Sequence, residues 1–188
     1  MSAPDAKAKT PSPLNAALDA MAAGVRRLHA REATGALAAL RRLDPDTPFA
    51  PAFHALLADS APDHLFAGGS DLATMTRRFA RIAQIMAMKP DGLGGFDGRS
   101  LGTVLRAIDF KERSLAMLLN AQGPTLDDLV RRTARRIALS DEPLPYRELG
   151  RLLLDDRREA RETLRLRIAR DYQRAARDSS NKPAQKSN

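Results

Sequence analysis

Residues 125–137 read Thr-Leu-Asp-Asp-Leu-Val-Arg-Arg-Thr-Ala-Arg-Arg-Ile, and this stretch decides the fold class. Leu126, Val130, Thr133 and Ile137 recur at i, i+4, i+7 and i+11, the spacing of one buried stripe on an α-helix. Thr125 reads as the N-cap, with Asp127 and Asp128 in the first turn, where the helix dipole favours acids. Arg131, Arg132, Arg135 and Arg136 fall on the other side. Two like-charge pairs at i, i+4, Arg131/Arg135 and Arg132/Arg136, repel by about a few tenths of a kcal/mol each. A polyanion such as nucleic acid would offset that repulsion. A solvated, arginine-rich helix face is the plainer alternative.

The same helical period extends outward in both directions, and no stretch alternates with the period of a strand. Helices are expected at about Leu14–His29, Thr34–Leu43 and Ala52–Ala58. A loop with Pro62 and Gly68-Gly69 follows. Ser70 reads as the cap of a long helix reaching Met88. Leu72, Met75, Phe79, Ile82 and Met86 line one face of that helix, and Arg77, Arg78 and Arg81 lie opposite. Beyond it, Ser100 caps a helix to Ile108 and Asp109 one to Leu119. The last two are expected at about Tyr146–Leu154 and Arg158–Arg177. In the final helix Leu164, Ile168, Tyr172 and Ala175 form the apolar stripe. The chain reads as an all-α bundle of eight to nine helices in two halves.

The glycine-bearing segment PDGLGGFDGRS, 90–100, is the natural internal boundary. It lacks the GxxxxGK[ST] pattern of a phosphate-binding loop, and no strand precedes it. Residues 90–99 are therefore expected to be an exposed connector between a helical half at 13–89 and a self-contained basic bundle at 100–177. Residues 1–12 and 178–188 are small, polar and expected to be disordered.

The chain has 188 residues, a net charge of +8 and no cysteine. It is long enough to bury a core without staples, and it can form neither a disulfide nor a thiolate metal site. Arginine outnumbers lysine 25 to 6. That bias suits bidentate phosphate contacts, and it is also what GC-rich coding produces. Residues 100–177 carry 17 basic and 12 acidic side chains, so most of the positive field belongs there. Aromatics are 4% of the chain, with no Trp, which argues against a base-stacking platform and for contacts to phosphates. No apolar run approaches the roughly 18 residues of a membrane span, and the N-terminus lacks the apolar core of a secretory signal. A cytoplasmic protein is expected.

Catalytic chemistry finds no foothold. His29, His54 and His64 show no ligand spacing, no carboxylate pair stands out, and no GxSxG or Ser/Lys pattern appears. The expectation is a non-enzymatic scaffold with no metal and no cofactor.

Five landmarks stand in a telling order: Pro51–Leu57 (PAFHALL), Arg99–Leu105 (RSLGTVL), Asp109–Ser114 (DFKERS), the Leu126–Arg136 helix, and Leu144–Leu149 (LPYREL) leading to Ile168–Tyr172 (IARDY). From residue 36 to about 175 this order resembles the CasB family, the small subunit of type I-E CRISPR Cascade surveillance complexes. Glu112-Arg113-Ser114 stands where that family has an ERR-type helix, with Lys111 adjacent. Leu152-Leu153-Leu154-Asp155 replaces tryptophans often seen in the closing helices.

The resemblance implies an all-helical, non-catalytic subunit with two copies packed head to tail. It would help hold the guide RNA–target DNA hybrid and the displaced strand beside other Cascade subunits. It also implies that Lys111, Arg113, Arg131 and Arg132 sit on the nucleic-acid face. Helical geometry extends this set to Arg135 and Arg136, and Arg77, Arg78 and Arg81 form a second candidate set on the N-terminal half. A guide RNA would supply sequence specificity, leaving the protein to track the backbone. Two rival readings remain from sequence. One is a sequence-specific DNA-binding regulator using the last helix in a major groove. The other is a helical protein–protein adaptor whose arginines face acidic partners.

Overall fold

The computed structural model describes residues 12–60, 71–94 and 99–180. Within them the chain forms nine helices and no strand: α1 (Pro13–Ala30), α2 (Thr34–Arg41), α3 (Pro51–Ser60), α4 (Leu72–Met88), α5 (Leu101–Ala107), α6 (Glu112–Asn120), α7 (Gly123–Ala138), α8 (Tyr146–Leu154) and α9 (Arg158–Ser180). The all-α expectation holds. No described helix is long and apolar enough to cross a membrane. The expected loop at Pro62 and Gly68-Gly69, the Ser70 cap and His64 lie outside the described residues. So do most of the two termini expected to be disordered.

Local sequence explains most helix starts. Ser12 accepts from the Asn15 amide at 3.3 Å and Pro13 opens α1, where a missing N–H costs nothing. Asp71 caps α4 by accepting from the Ala73 amide at 3.2 Å. Ser100 caps α5 as expected. Two expected caps are corrected. Asp109 does not cap α6: it sits at φ 51° in the turn between α5 and α6, and Lys111 is the N-cap residue. Thr125 does not cap α7, because Gln122 holds that place and Pro124 lies in the first turn. Asp127 and Asp128 consequently fall one turn further in than their sequence suggested.

Helix C-termini are closed by a different device. The last carbonyls of a helix lack intrahelical donors, and here basic side chains from other elements supply them. Arg41 Nε donates to Ala87 O of α4 at 2.7 Å. Arg136 Nη2 donates to Ile108 O and Asp109 O just past α5, at 3.1 and 3.0 Å. Arg165 Nη2 reaches Ala121 O past α6 at 2.6 Å, and Arg161 reaches Asp155 O past α8 at 2.8 Å. Lys89 Nζ donates to Ser140 O and Glu142 O beyond α7. A cation at a helix C-terminus also meets the negative end of its dipole. Part of the arginine excess is therefore built into the fold.

The core is continuous across both halves. Leu18 and Met21 of α1, Phe79 and Ile85 of α4, Leu105 of α5, Leu152 of α8 and Tyr172 of α9 belong to one buried cluster. α4 packs on α7 and α8, and α1 packs on α3 and α8. Residues 100–177 thus share their core with the N-terminal helices, where a self-contained bundle had been expected. The stripe on α4 holds at Met75, Phe79, Ile82 and Met86, but Leu72 in its first turn is 63% exposed.

The expected exposed connector begins as packed backbone. Leu93 is buried, its neighbour Gly94 donates to Leu144 O at 3.1 Å, and Leu144 N returns a bond to Gly92 O at 2.7 Å. Residues 95–98 lie outside the described set. α9 runs on to Ser180, so residues 178–180 are helical where a disordered tail had been expected.

The most extensive helix pair is α5 on α9. Gly102 permits it: a Cβ there would collide with Ile168 O and Tyr172 N of the α9 backbone. Glu148 of α8, itself 7% exposed, ties the pair by accepting from Leu101 N and from Arg167. Tyr172 Oη completes it with a bond to Phe110 O.

Candidate nucleic-acid interface

α7 buries Leu126, Val130, Thr133, Ala134 and Ile137, so the stripe read from sequence is its inner face. At about 100° per residue the four arginines do not share one outer face. They fan around the helix. Arg131 lies on the flank toward α4, Arg132 and Arg135 form the outer ridge, and Arg136 lies on the flank toward α5 and α6.

Their partners differ accordingly. Arg136 closes the C-terminus of α5 and places its guanidinium 5.4 Å from the Phe110 ring centre. It is exposed, as expected, and it also holds the α5–α6 turn. Arg132 pairs with Asp128 at 3.6 Å, one turn back. Arg135 is exposed and makes no hydrogen bond or ion pair among the described residues. Arg131 is half-buried, and its Nε is shut from solvent without a hydrogen-bond partner.

The α4 set comes to meet Arg131. Arg77 pairs with Asp46 at 3.6 Å and Arg78 with Asp156 at 2.6 Å. Arg81 donates to Gln84 Oε1 at 2.7 Å, and its own Nε is also buried without a partner. Burial lowers the Arg81 pKa, and the charge of Arg131 lowers it further. The two guanidinium groups therefore feel each other across the α4–α7 contact, although 50 positions separate them in the chain. Neither pairs with a carboxylate among the described residues.

Beside Arg81 lies a cleft of ≈ 520 Å³. Asp46, Arg77, Arg78, Arg81, Asp127 and Arg161 are among its lining side chains. Asp127 is the one group there whose carboxyl is raised above its ordinary range: burial raises it, while Arg81 and Arg78 pull it back. The cleft can hold an anion of modest size against several guanidinium groups. The lining includes no aromatic side chain, so it has nothing to read a base with.

Lys111 and Arg113 stand at the start of α6. Both are exposed and without hydrogen-bond or ion-pair partners among the described residues. They adjoin the α5–α6 turn that Arg136 reaches from α7. The candidate residues thus occupy two neighbouring places. Arg77, Arg78 and Arg81 meet at the cleft, with Arg131 on the neighbouring flank of α7, and Lys111 and Arg113 flank the junction held by Arg136. The ridge of Arg132 and Arg135 runs between them. Sequence reasoning missed Arg161 as a cleft residue, because nothing in α9 marks one arginine among many as the one that folds back over α8. Among the described residues no group of three or more His, Asp or Glu could hold a metal ion.

Compared with known proteins, residues 36–172 match the family model described as CRISPR-associated protein Cse2. That span takes in α3 to α8 and most of α2 and α9, so it includes every candidate residue named above. No curated protein and no solved structure matches the chain.

Proposed function

The chain belongs to the CRISPR-associated Cse2 family, the CasB small subunits of type I-E Cascade, and is a Cascade subunit; from that membership we propose that it is a non-catalytic subunit that holds nucleic acid by its phosphates. The ligand is the guide RNA–target DNA hybrid and the displaced strand, within an assembly that carries two copies of this chain head to tail. The observation that carries this reading is the gathering of Arg77, Arg78, Arg81 and Arg161 on one cleft. An anion there would find several guanidinium donors within one small space. Arg132, Arg135, Lys111 and Arg113 continue the positive surface.

Phosphate contacts of this kind give affinity without sequence preference, and base pairing by the guide supplies the rest. The rival use of α9 as a recognition helix is less well supported. Arg161 and Arg165 are turned to backbone carbonyls, and Arg167 to Glu148. An adaptor that binds acidic proteins would not require four guanidinium groups to gather on one cleft.

Binding of the full chain to labelled single strands of unrelated sequence tests the proposal. Affinities should agree within about threefold across sequences. If about four phosphates are contacted, log affinity should fall against log salt with a slope of roughly −3. A flat salt response, or strong preference for one duplex sequence, contradicts it.

A further inference from the structure

Phe49 is 82% exposed. The five other aromatic side chains among the described residues, Phe53, Phe79, Phe110, Tyr146 and Tyr172, are all buried. An exposed ring is unusual in a chain this poor in aromatics, and it is not on a loose segment. Asp44 accepts from Asp46 N and from Thr47 Oγ1, both at 3.0 Å, and Asp44 O accepts from Thr47 N at 3.2 Å. Thr47 O then accepts from Phe49 N at 2.8 Å. Pro45, Pro48 and Pro51 restrict the backbone on both sides. The turn is built to hold the ring out.

The same turn borders the arginine cleft. Pro45 and Asp46 line that cleft, and Asp46 pairs with Arg77 at 3.6 Å. Phe49 is three residues further on, so its backbone lies within roughly 11 Å of Asp46. An aromatic face near a groove bearing several arginines is an arrangement by which proteins hold single strands without reading sequence. A protein-docking site would want an apolar patch around the ring, and Arg77, Arg78, Arg81 and Arg161 are on the cleft lining instead.

We infer that Phe49 stacks on an unpaired base of a single strand whose phosphates lie in the α4–α7 cleft. This rests on the nucleic-acid reading of the cleft and adds a base contact to it. Bases within a duplex are already stacked, so the contact favours single strands.

The chain contains no tryptophan, so Phe49→Trp places a single reporter at the site. The full chain is titrated with oligo(dT) of twelve nucleotides and with an abasic strand of the same length and charge. Oligo(dT) should quench the Phe49→Trp emission with the same midpoint as anisotropy binding, and the abasic strand should not. Phe49→Ala and Phe49→Leu should melt like the wild type and bind oligo(dT) about 5- to 100-fold more weakly, the range that one stacked base confers. Their affinity for the abasic strand should be unchanged. Wild-type affinity for oligo(dT) in both variants, or absence of quenching, overturns the inference and leaves the cleft proposal standing. So does a Phe49→Ala variant that keeps its affinity but no longer assembles with other Cascade subunits, which would make the ring a protein contact. If the wild type binds neither strand, the nucleic-acid reading itself falls, and this inference with it.

Discussion

The α5–α9 and α4–α7 contacts are both helix pairs of the same small protein, yet they are built to opposite ends. In α5–α9 a glycine brings two backbones together, and the charged groups around the pair have partners: Glu148 takes Leu101 N and Arg167, and Arg136 takes the carbonyls past α5. In α4–α7 a cleft stays open with Arg81 on its lining, and the Nε atoms of Arg81 and Arg131 are buried without a hydrogen-bond partner. Arg131 and Arg136 are only five residues apart on one helix. What lies across the helix packing therefore separates them: Arg136 finds carbonyls, and the Arg131 Nε finds no partner. On the proposed reading, the cleft beside Arg81 is kept for an anion.

The largest expected effect tests the closed pair. Gly102→Ala puts a methyl against Ile168 O and Tyr172 N, backbone atoms that cannot swing aside. Overpacking of this kind costs about 3 kcal/mol, partly offset by about 1 kcal/mol of helix propensity. In a chain of this size the melting temperature should fall by roughly 4–8 °C. An unchanged melting temperature would mean that the two helices do not touch as described.

A smaller effect tests the open pair. Asp127 has a raised carboxyl pKa, with burial as the first cause. A carboxyl raised in the folded state holds its proton more tightly folded than unfolded. Its contribution is therefore full below the ordinary value of about 3.9 and declines as pH rises through the raised one. Asp127→Asn cannot ionise. The variant should melt slightly above the wild type at neutral pH, and the difference should close below about pH 4. A lower melting temperature at neutral pH would show that attraction to Arg81 and Arg78 outweighs burial.

Much of the fold was legible because helical spacing is local. Leu126, Val130, Thr133 and Ile137 are buried as their period required, and so are Leu164, Ile168 and Tyr172. The start of α7 was misplaced because Thr125 is a good cap by type, whereas Gln122 holds the place by backbone geometry ahead of Gly123-Pro124. The site was legible only as a set of residue types. Arg136 reaches carbonyls 27 and 28 positions away, and Arg81 meets Arg131 at a separation of 50, so no spacing rule could sort the arginines by duty. The exposure of Phe49 likewise depends on the Asp44–Phe49 turn, which no helical period marks.

Salt titration of oligo(dT) binding by three forms of the full chain tests the central claim most directly. The wild type should show a log–log slope of roughly −3, and Arg81→Gln/Arg131→Gln, lacking two contacts at about 0.7 each, should show a slope near −1.5. That double variant should melt within roughly 4 °C of the wild type, because the repulsion it removes is set against the lost Arg81–Gln84 hydrogen bond of about 1 kcal/mol. Arg136→Gln should keep the wild-type slope and lose about 1 kcal/mol of stability, or roughly 2–4 °C. The reverse pattern, with the slope lost in Arg136→Gln and kept in the double variant, would contradict the account: the phosphates would then lie at the α5–α6 junction and not in the α4–α7 cleft.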